Sequence, residues 1–201
     1  MAFYISKAEI DAIRRLRESL GGAIYRTSMH RCAATLKVIA GDTRVYGKLG
    51  FLQRTATFKA RGGGLIGGMA NAIRQLRPAT KIVVVEPLGA DTMHRSFAAG
   101  KPQSIDAVQT IADSLDPPFA MPYSFNLCRN TVDQLVLVDD DQRRRSMGFL
   151  FRYPKIAAEP ARATTNATLR GPLRNELWGR RIVLAMCGSN RLAHACPTGA
   201  L

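Results

Sequence analysis

The chain has 201 residues, 46% of them hydrophobic, and carries 29 Lys and Arg against 15 Asp and Glu, for a net charge of +14. That length supports one sizeable core or two small ones, and the composition excludes a low-complexity or repetitive chain. No window approaches the length of a membrane-spanning helix, and the opening MAFYISKAEIDAIRRL carries acids and lacks the unbroken apolar core of a secretory signal. A cytoplasmic, soluble protein with no membrane partner is the expectation. Cys32, Cys128, Cys187 and Cys196 form no CxxC pair, and His30, His94 and His194 form no ligand cluster. Reduced thiols are therefore expected, and a structural metal is not. A positive field of this size attracts anions and nucleic acid in a salt-dependent way. The basic residues are scattered along the sequence, however, with short clusters at Arg14, Arg15 and Arg17 and at Arg143 to Arg145. Aromatic residues are not interleaved among them, so no specific nucleic-acid partner is expected.

In chain order, Ser6 and Glu9 form a capping box, and Ile10, Ile13, Leu16 and Leu20 recur at helical spacing until Gly21 and Gly22. This predicts an amphipathic helix. Arg44 to Lys48 alternates like a short strand, with Gly47 weakening it. Leu65 to Leu76 reads as a helix stopped by Pro78, with Gly67, Gly68 and Ala70 suited to close packing against a sheet. Lys81 to Val85 is a β-branched run typical of a buried parallel strand. Asp91 to Ala99 predicts a helix ended by Gly100, Ser104 to Leu115 a second ended by Pro117 and Pro118, and Tyr123 to Asn130 a third. Leu135 to Val138 reads as another strand, and Asp139 to Asp141 cap a helix running to about Arg152. Glu159 to Leu169 follows as a helix and Arg181 to Met186 as a last strand. This alternation predicts an α/β fold with a parallel sheet covered on both faces. Sites in such sheets gather at the carboxyl ends of strands, here Glu86, Asp139 to Asp141 and Cys187 to Asn190.

One stretch stands apart, GKLGFLQRTATFKARGGGLIGG from Gly47 to Gly68. Lys59 follows an aromatic residue, Phe58, and precedes the run Gly62, Gly63, Gly64 that opens a helical pattern. Glycines let backbone amides approach an anion, and the start of a helix adds the positive end of its dipole. A lysine beside a phosphate cradle points to a phosphorylated aldehyde held as a Schiff base, the arrangement used for pyridoxal phosphate. A hinge and a solvated surface lysine account for the same residues.

Four ordered motifs carry a resemblance: LQRTATFKARG (Leu52 to Gly62), GGLIGGMANAIRQLRPATKIVVVEP (Gly63 to Pro87), EPARA (Glu159 to Ala163) and CGSN (Cys187 to Asn190). Together they resemble the threonine/serine dehydratases (ammonia-lyases), pyridoxal phosphate enzymes of the tryptophan-synthase-β-like fold. The resemblance implies a three-layer parallel sheet with helices on both faces, fold type II, and pyridoxal 5'-phosphate as cofactor. It places Lys59 at the Schiff-base lysine, with Phe58 packing beside the ring, and Gly62, Gly63 and Gly64 in the phosphate-binding loop. Cys187 falls where the family sets a small hydroxyl or thiol against the pyridine nitrogen, Gly188, Ser189 and Asn190 completing the turn. Glu86, with the carbonyl of Ala90, matches a cation site of some members, but Thr92 stands in place of its acidic ligand, so no metal is expected. Cys187 as an inert buried thiol and Glu86 as an exposed helix cap are the alternative readings of these two residues.

The implied reaction is removal of the α-proton of L-threonine or L-serine by Lys59, loss of the β-hydroxyl, and hydrolysis to a 2-oxo acid and ammonia. The sequence also departs from the pattern. The family's K-x-E-N step reads Lys48-Leu49-Gly50-Phe51, and T-G-S-F-K has become Thr55-Ala56-Thr57-Phe58-Lys59. In the family a small mobile domain carrying an S-G-N-H loop separates the lysine motif from the glycine loop, whereas here Arg61 leads directly into the glycines and no SGNH-like segment occurs. The expectation is a single, internally deleted domain over 1–201, with an N-terminal part at 1–61, a large-domain part at 62–190 and a divergent tail at 191–201. Two functions stay open, a lyase and an impaired or inactive relic that binds cofactor or a paralogue only, with homo-oligomer formation through newly exposed apolar surface.

Overall fold

A computed structural model of the chain describes residues 6–19, 21, 26–32, 43–49, 64–112 and 117–187. These fall into two compact units built from interleaved segments: 1–24, 59–109 and 116–137 in one, and 25–58, 110–115 and 138–201 in the other.

The first unit holds helix α1 (Lys7–Ser19), α2 (Gly64–Leu76), α3 (Thr92–Ala99), α4 (Pro122–Thr131) and a two-stranded sheet of β3 (Val83–Pro87) and β4 (Gln134–Val138, whose last residue falls in the second unit). The Ser6 capping box forms as expected: Glu9 N donates to Ser6 Oγ at 3.2 Å, and Ser6 N donates to Glu9 Oε2 at 2.6 Å. Yet α1 buries none of its residues, and its apolar stripe is open, with Ile13 and Leu16 each 59% exposed. Met93, Ala120, Phe125 and Cys128 form the unit's core, joined by Ile66, Phe97, Val132 and Leu135. At Gly67 an added Cβ would lie 3.2 Å from Leu127 Cδ1, so this glycine lets α2 close on helix α4 rather than on a sheet, while Gly68 faces nothing within 4 Å. Arg74 at the end of α2 donates to Thr131 O and Asp133 Oδ2, both at 2.8 Å, and Asp133 in turn accepts from Ile82 N at 2.7 Å. That chain of bonds anchors α2 to the turn entering β4. Gly100 ends α3 in the left-handed region at φ 68, a conformation that favours glycine.

Of the helix expected from Ser104 to Leu115, residues 104–112 are not helical, and 113–115 lie outside the described residues. Ser104 bridges Phe119, Ile105 N donates to Pro118 O at 2.8 Å, and Ala120 N donates to Gln103 O at 3.0 Å. Cross-chain pairing satisfies the backbone that a helix would have satisfied locally. Gly89 is required here: an added Cβ would sit 1.7 Å from Gln109 O.

The second unit holds a three-stranded sheet in the order β1 (Met29–Arg31), β2 (Arg44–Leu49), β5 (Arg181–Met186), with helices α5 (Asp140–Arg152) and α6 (Pro160–Arg170). β2 runs parallel to β5 in the register Arg44↔Arg181 to Leu49↔Met186, and β1 pairs antiparallel to β2. The antiparallel edge strand was not legible in the sequence, since three residues with a Met-His-Arg composition carry no alternation. The core joins Cys32, Val45, Leu49, Leu184 and Met186 of the sheet segments to Met147, Leu150, Ala163 and Leu169 of the helices. Gly47 lies on this inner face, where an added Cβ would meet Met186 Sδ at 2.8 Å and Cys32 Sγ at 3.3 Å. The two helices are tied by Ser146 Oγ donating to Ala163 O at 2.8 Å and by Asn166 Nδ2 donating to Ser146 Oγ at 2.9 Å.

Candidate active site

Among the residues expected to hold a cofactor, Phe58, Lys59, Gly62, Gly63, Gly188, Ser189 and Asn190 lie outside the described residues. Gly64 and Cys187 are described, each in a different unit. Gly64 is the first residue of α2, a 13-residue helix with no acid in its first turn, so the backbone donors and positive dipole end at its start face no acidic side chain of that turn. Cys187 follows β5 directly, is partly buried, and its Sγ lies 3.7 Å from Ala185 O. Each taken by itself has chemistry that pyridoxal 5'-phosphate can use: backbone amides at a helix start suit a phosphate, and a partly accessible thiol at a strand's carboxyl end suits a heterocyclic nitrogen.

Beside Cys187 the EPARA turn is buried throughout. Glu159 is 6% and Arg162 1% exposed, at the start of α6, and Arg162 Nη1 donates to Ala157 O at 3.0 Å. Burial pushes the Arg162 guanidinium down to about 10, opposed by the charges of Glu159 and Cys187. A buried cation within electrostatic reach of Cys187 is the feature sequence reading missed; its one signal was an arginine in the first turn of a helix that follows Glu-Pro.

The other two strand ends serve the fold. Glu86 caps α3, accepting from Met93 N at 3.0 Å and His94 N at 2.8 Å. It is a cap, as the plainer reading held, but a partly buried one: burial raises its carboxyl to about 7, against the pull of the His94 and Met93 amides and with some help from Asp91. The neighbouring Cys128 thiol is pushed up to about 11 by burial and by Glu86. Asp139 caps α5 through a capping box with Gln142, and Asp141 pairs with Arg144 at 2.7 Å. Asp140 pairs with Arg143 and accepts from Thr110 Oγ1 at 3.1 Å. Among the described residues no group of three or more His, Cys, Asp or Glu could hold a metal, and no helix is long and apolar enough to cross a membrane.

Comparison with solved structures defines the class. The chain superposes on maize serine racemase with a TM-score of 0.80 over 92% of this chain and 95% of that one at 17% identity, a likeness of fold alone. It also superposes on the processed form of threonine deaminase isoform 2 from Solanum lycopersicum with a TM-score of 0.61 at 28% identity, over 66% of this chain and 39% of that one. The fold is that of the α/β, fold-type II pyridoxal phosphate enzymes. The family described as "Pyridoxal-phosphate dependent enzyme" matches residues 60–188, and the chain belongs to it. The match begins one residue past Lys59. Phenylserine dehydratase of Ralstonia pickettii is 48% identical over 129 residues, 64% of this chain and 40% of that protein. L-threo-3-hydroxyaspartate ammonia-lyase of Saccharomyces cerevisiae is 34% identical over 131 residues, again 64% of this chain and 39% of that protein. The chain thus spans about two fifths of the length of these two relatives.

Proposed function

We propose that the chain binds pyridoxal 5'-phosphate and acts as an ammonia-lyase on a 3-hydroxy amino acid such as L-threonine or L-serine. The water lost in the elimination is taken back on hydrolysis, so one amino acid gives one 2-oxo acid and one ammonia. The 48% identity to a phenylserine dehydratase supports this reading most strongly. When bound, the cofactor supplies an electron sink for the charge that proton removal leaves at Cα. Lys59 is assigned to hold the cofactor aldehyde and to take the α-proton at Nζ, which requires a neutral amine and hence burial or a nearby cation. Gly62, Gly63 and Gly64 are assigned to the phosphate through their amides, and Phe58 to the ring. Cys187 offers the pyridine nitrogen a small polar partner, with Gly188, Ser189 and Asn190 forming its turn. In this assignment residues 62–190 correspond to the large-domain part and 1–61 to the lysine-bearing part.

A second reading, cofactor binding without turnover, is favoured by one observation: the 201 residues contain no SGNH-like segment to grip a substrate carboxylate. Losing that orientation removes several kcal/mol of rate enhancement. The test is to add pyridoxal 5'-phosphate to the purified protein, reduce with borohydride, map the labelled peptide by mass spectrometry, and assay 2-oxo acid from L-threonine and L-serine. Label on Lys59 with 2-oxo acid formed is the expected result. Label without product selects the second reading, and the absence of label on Lys59 overturns both.

A further inference from the structure

The three-stranded sheet of the second unit has two unlike faces. Val45, Gly47, Leu49, Leu184 and Met186 point inward, four of them into the core shared with α5 and α6. On the opposite face the register sets Arg31 beside Tyr46 and Met29 beside Lys48 across the β1–β2 pair. Across the β2–β5 pair it sets Tyr46 beside Val183, Lys48 beside Ala185 and Arg44 beside Arg181. Residues directly opposite one another share a face, and alternate residues along a strand do too. Partly buried Tyr46 therefore stands among four cations: Arg31 across, Arg44 and Lys48 two residues away along β2, and Arg181 on the diagonal. No strand residue of this face is acidic, and it remains open, with Met29 56% and Val183 58% exposed. Lys48 Nζ donates to Thr27 O, but among the described residues the side chains of Arg31, Arg44 and Arg181 make no hydrogen bond or ion pair. Arg44, Tyr46 and Lys48 alternate along β2, and strand pairing brings Arg31 and Arg181, distant in sequence, to the same face.

We propose that this outer face of β1–β2–β5 binds single-stranded nucleic acid without sequence preference. A base stacks on Tyr46 while the backbone phosphates lie along Arg31, Arg44, Lys48 and Arg181. The inference is independent of the cofactor chemistry. Uncompensated guanidinium groups on one face favour a polyanion, and an aromatic ring at their centre favours one that carries planar bases. An acidic polypeptide would use the cations and leave the ring without a role. A duplex would keep its bases in its own stack and out of the ring's reach.

The test is fluorescence anisotropy of the full chain with a labelled oligo-dT of about 15 nucleotides over a salt series. Four phosphate contacts predict a log–log salt slope of about −2.8, and the Arg44→Gln/Arg181→Gln variant one shallower by about 1.4. Arg145→Gln/Arg152→Gln, on exposed α5 positions, removes the same charge and is expected to keep the wild-type slope. Tyr46→Leu weakens binding about tenfold, and Tyr46→Phe retains it. Equal loss in the two double variants would overturn the proposal in favour of the protein's overall field. So would duplex DNA bound as tightly as the single strand, or poly-glutamate bound in preference to the oligonucleotide. Should Tyr46→Leu fail to fold by circular dichroism, the slopes of the two arginine variants decide the matter.

Discussion

Asp140→Ala removes the one countercharge that, among the described residues, pairs with a buried guanidinium at Arg143. Arg143 is 1% exposed, its Nε and Nη1 have no hydrogen-bond partner among the described residues, and burial holds it below the usual arginine range despite Asp140. Breaking such a pair from one side costs about 3–5 kcal/mol, because the remaining charge stays buried without compensation. Asp140 also accepts from Thr110 Oγ1 at 3.1 Å and from Ile111 N at 3.3 Å, and it is 29% exposed, so these two bonds add toward the low end of about 0.5–1.5 kcal/mol each. The expected loss is about 5 kcal/mol, or about 15 °C in melting temperature for a chain of this size. Arg143→Met removes the buried charge that Asp140→Ala would strand, so the double variant Asp140→Ala/Arg143→Met recovers the pair's share of the loss and leaves only that of the Thr110 and Ile111 bonds. Trp178, the sole tryptophan, lies in the same unit and reports its unfolding in urea. A loss under about 1 kcal/mol for Asp140→Ala, or a double variant no more stable than it, would refute the argument.

Glu86 makes stability depend on pH in a definite direction. Its carboxyl sits at about 7 in the folded chain against an ordinary value of 4.5, so the neutral buried acid stabilises fully below pH 4.5 and loses that contribution as pH rises through 7. The loss is on the order of 3 kcal/mol, and urea midpoints from pH 5 to 8 should fall more steeply for the wild type than for Glu86→Gln. Parallel slopes would show that Glu86 does not titrate there. Gly89→Ala drives a Cβ to 1.7 Å from a backbone carbonyl and is expected to cost about 3 kcal/mol, whereas Gly68→Ala meets nothing within 4 Å in a helix interior and should gain about 0.5–1 kcal/mol. Thermal melts that rank the two the other way would contradict the contact at Gln109. Asp139→Ala removes the α5 cap and should cost about 1 kcal/mol by urea titration, an effect absent in Asp141→Ala, whose partner is an exposed arginine.

Local chemistry sufficed for much of the chain. Ser6 with Glu9, the acids from Asp139 before α5 and Gly100 after α3 mark helix ends because each satisfies its own neighbours' amides or carbonyls within a few residues. Arg181 to Met186 is a strand at the boundaries its composition predicts, and the ordered motifs from Gly63 onward point to the family whose model matches residues 60–188. What depended on distant partners was not legible. Residues 104–112 have helical periodicity but pair with 118–120 and with Asp140, which outcompete a helix for their backbone groups. The apolar stripe of α1 looks like a core face and is exposed, since periodicity says which residues share a side and nothing about what covers it. Nothing local marks Arg143 or Arg162 as buried, yet each is 1% exposed, and Glu86, whose plainer reading was an exposed cap, is a partly buried one with a raised carboxyl. Burial and electrostatic environment belong to the assembled chain, and only the tertiary structure sets them.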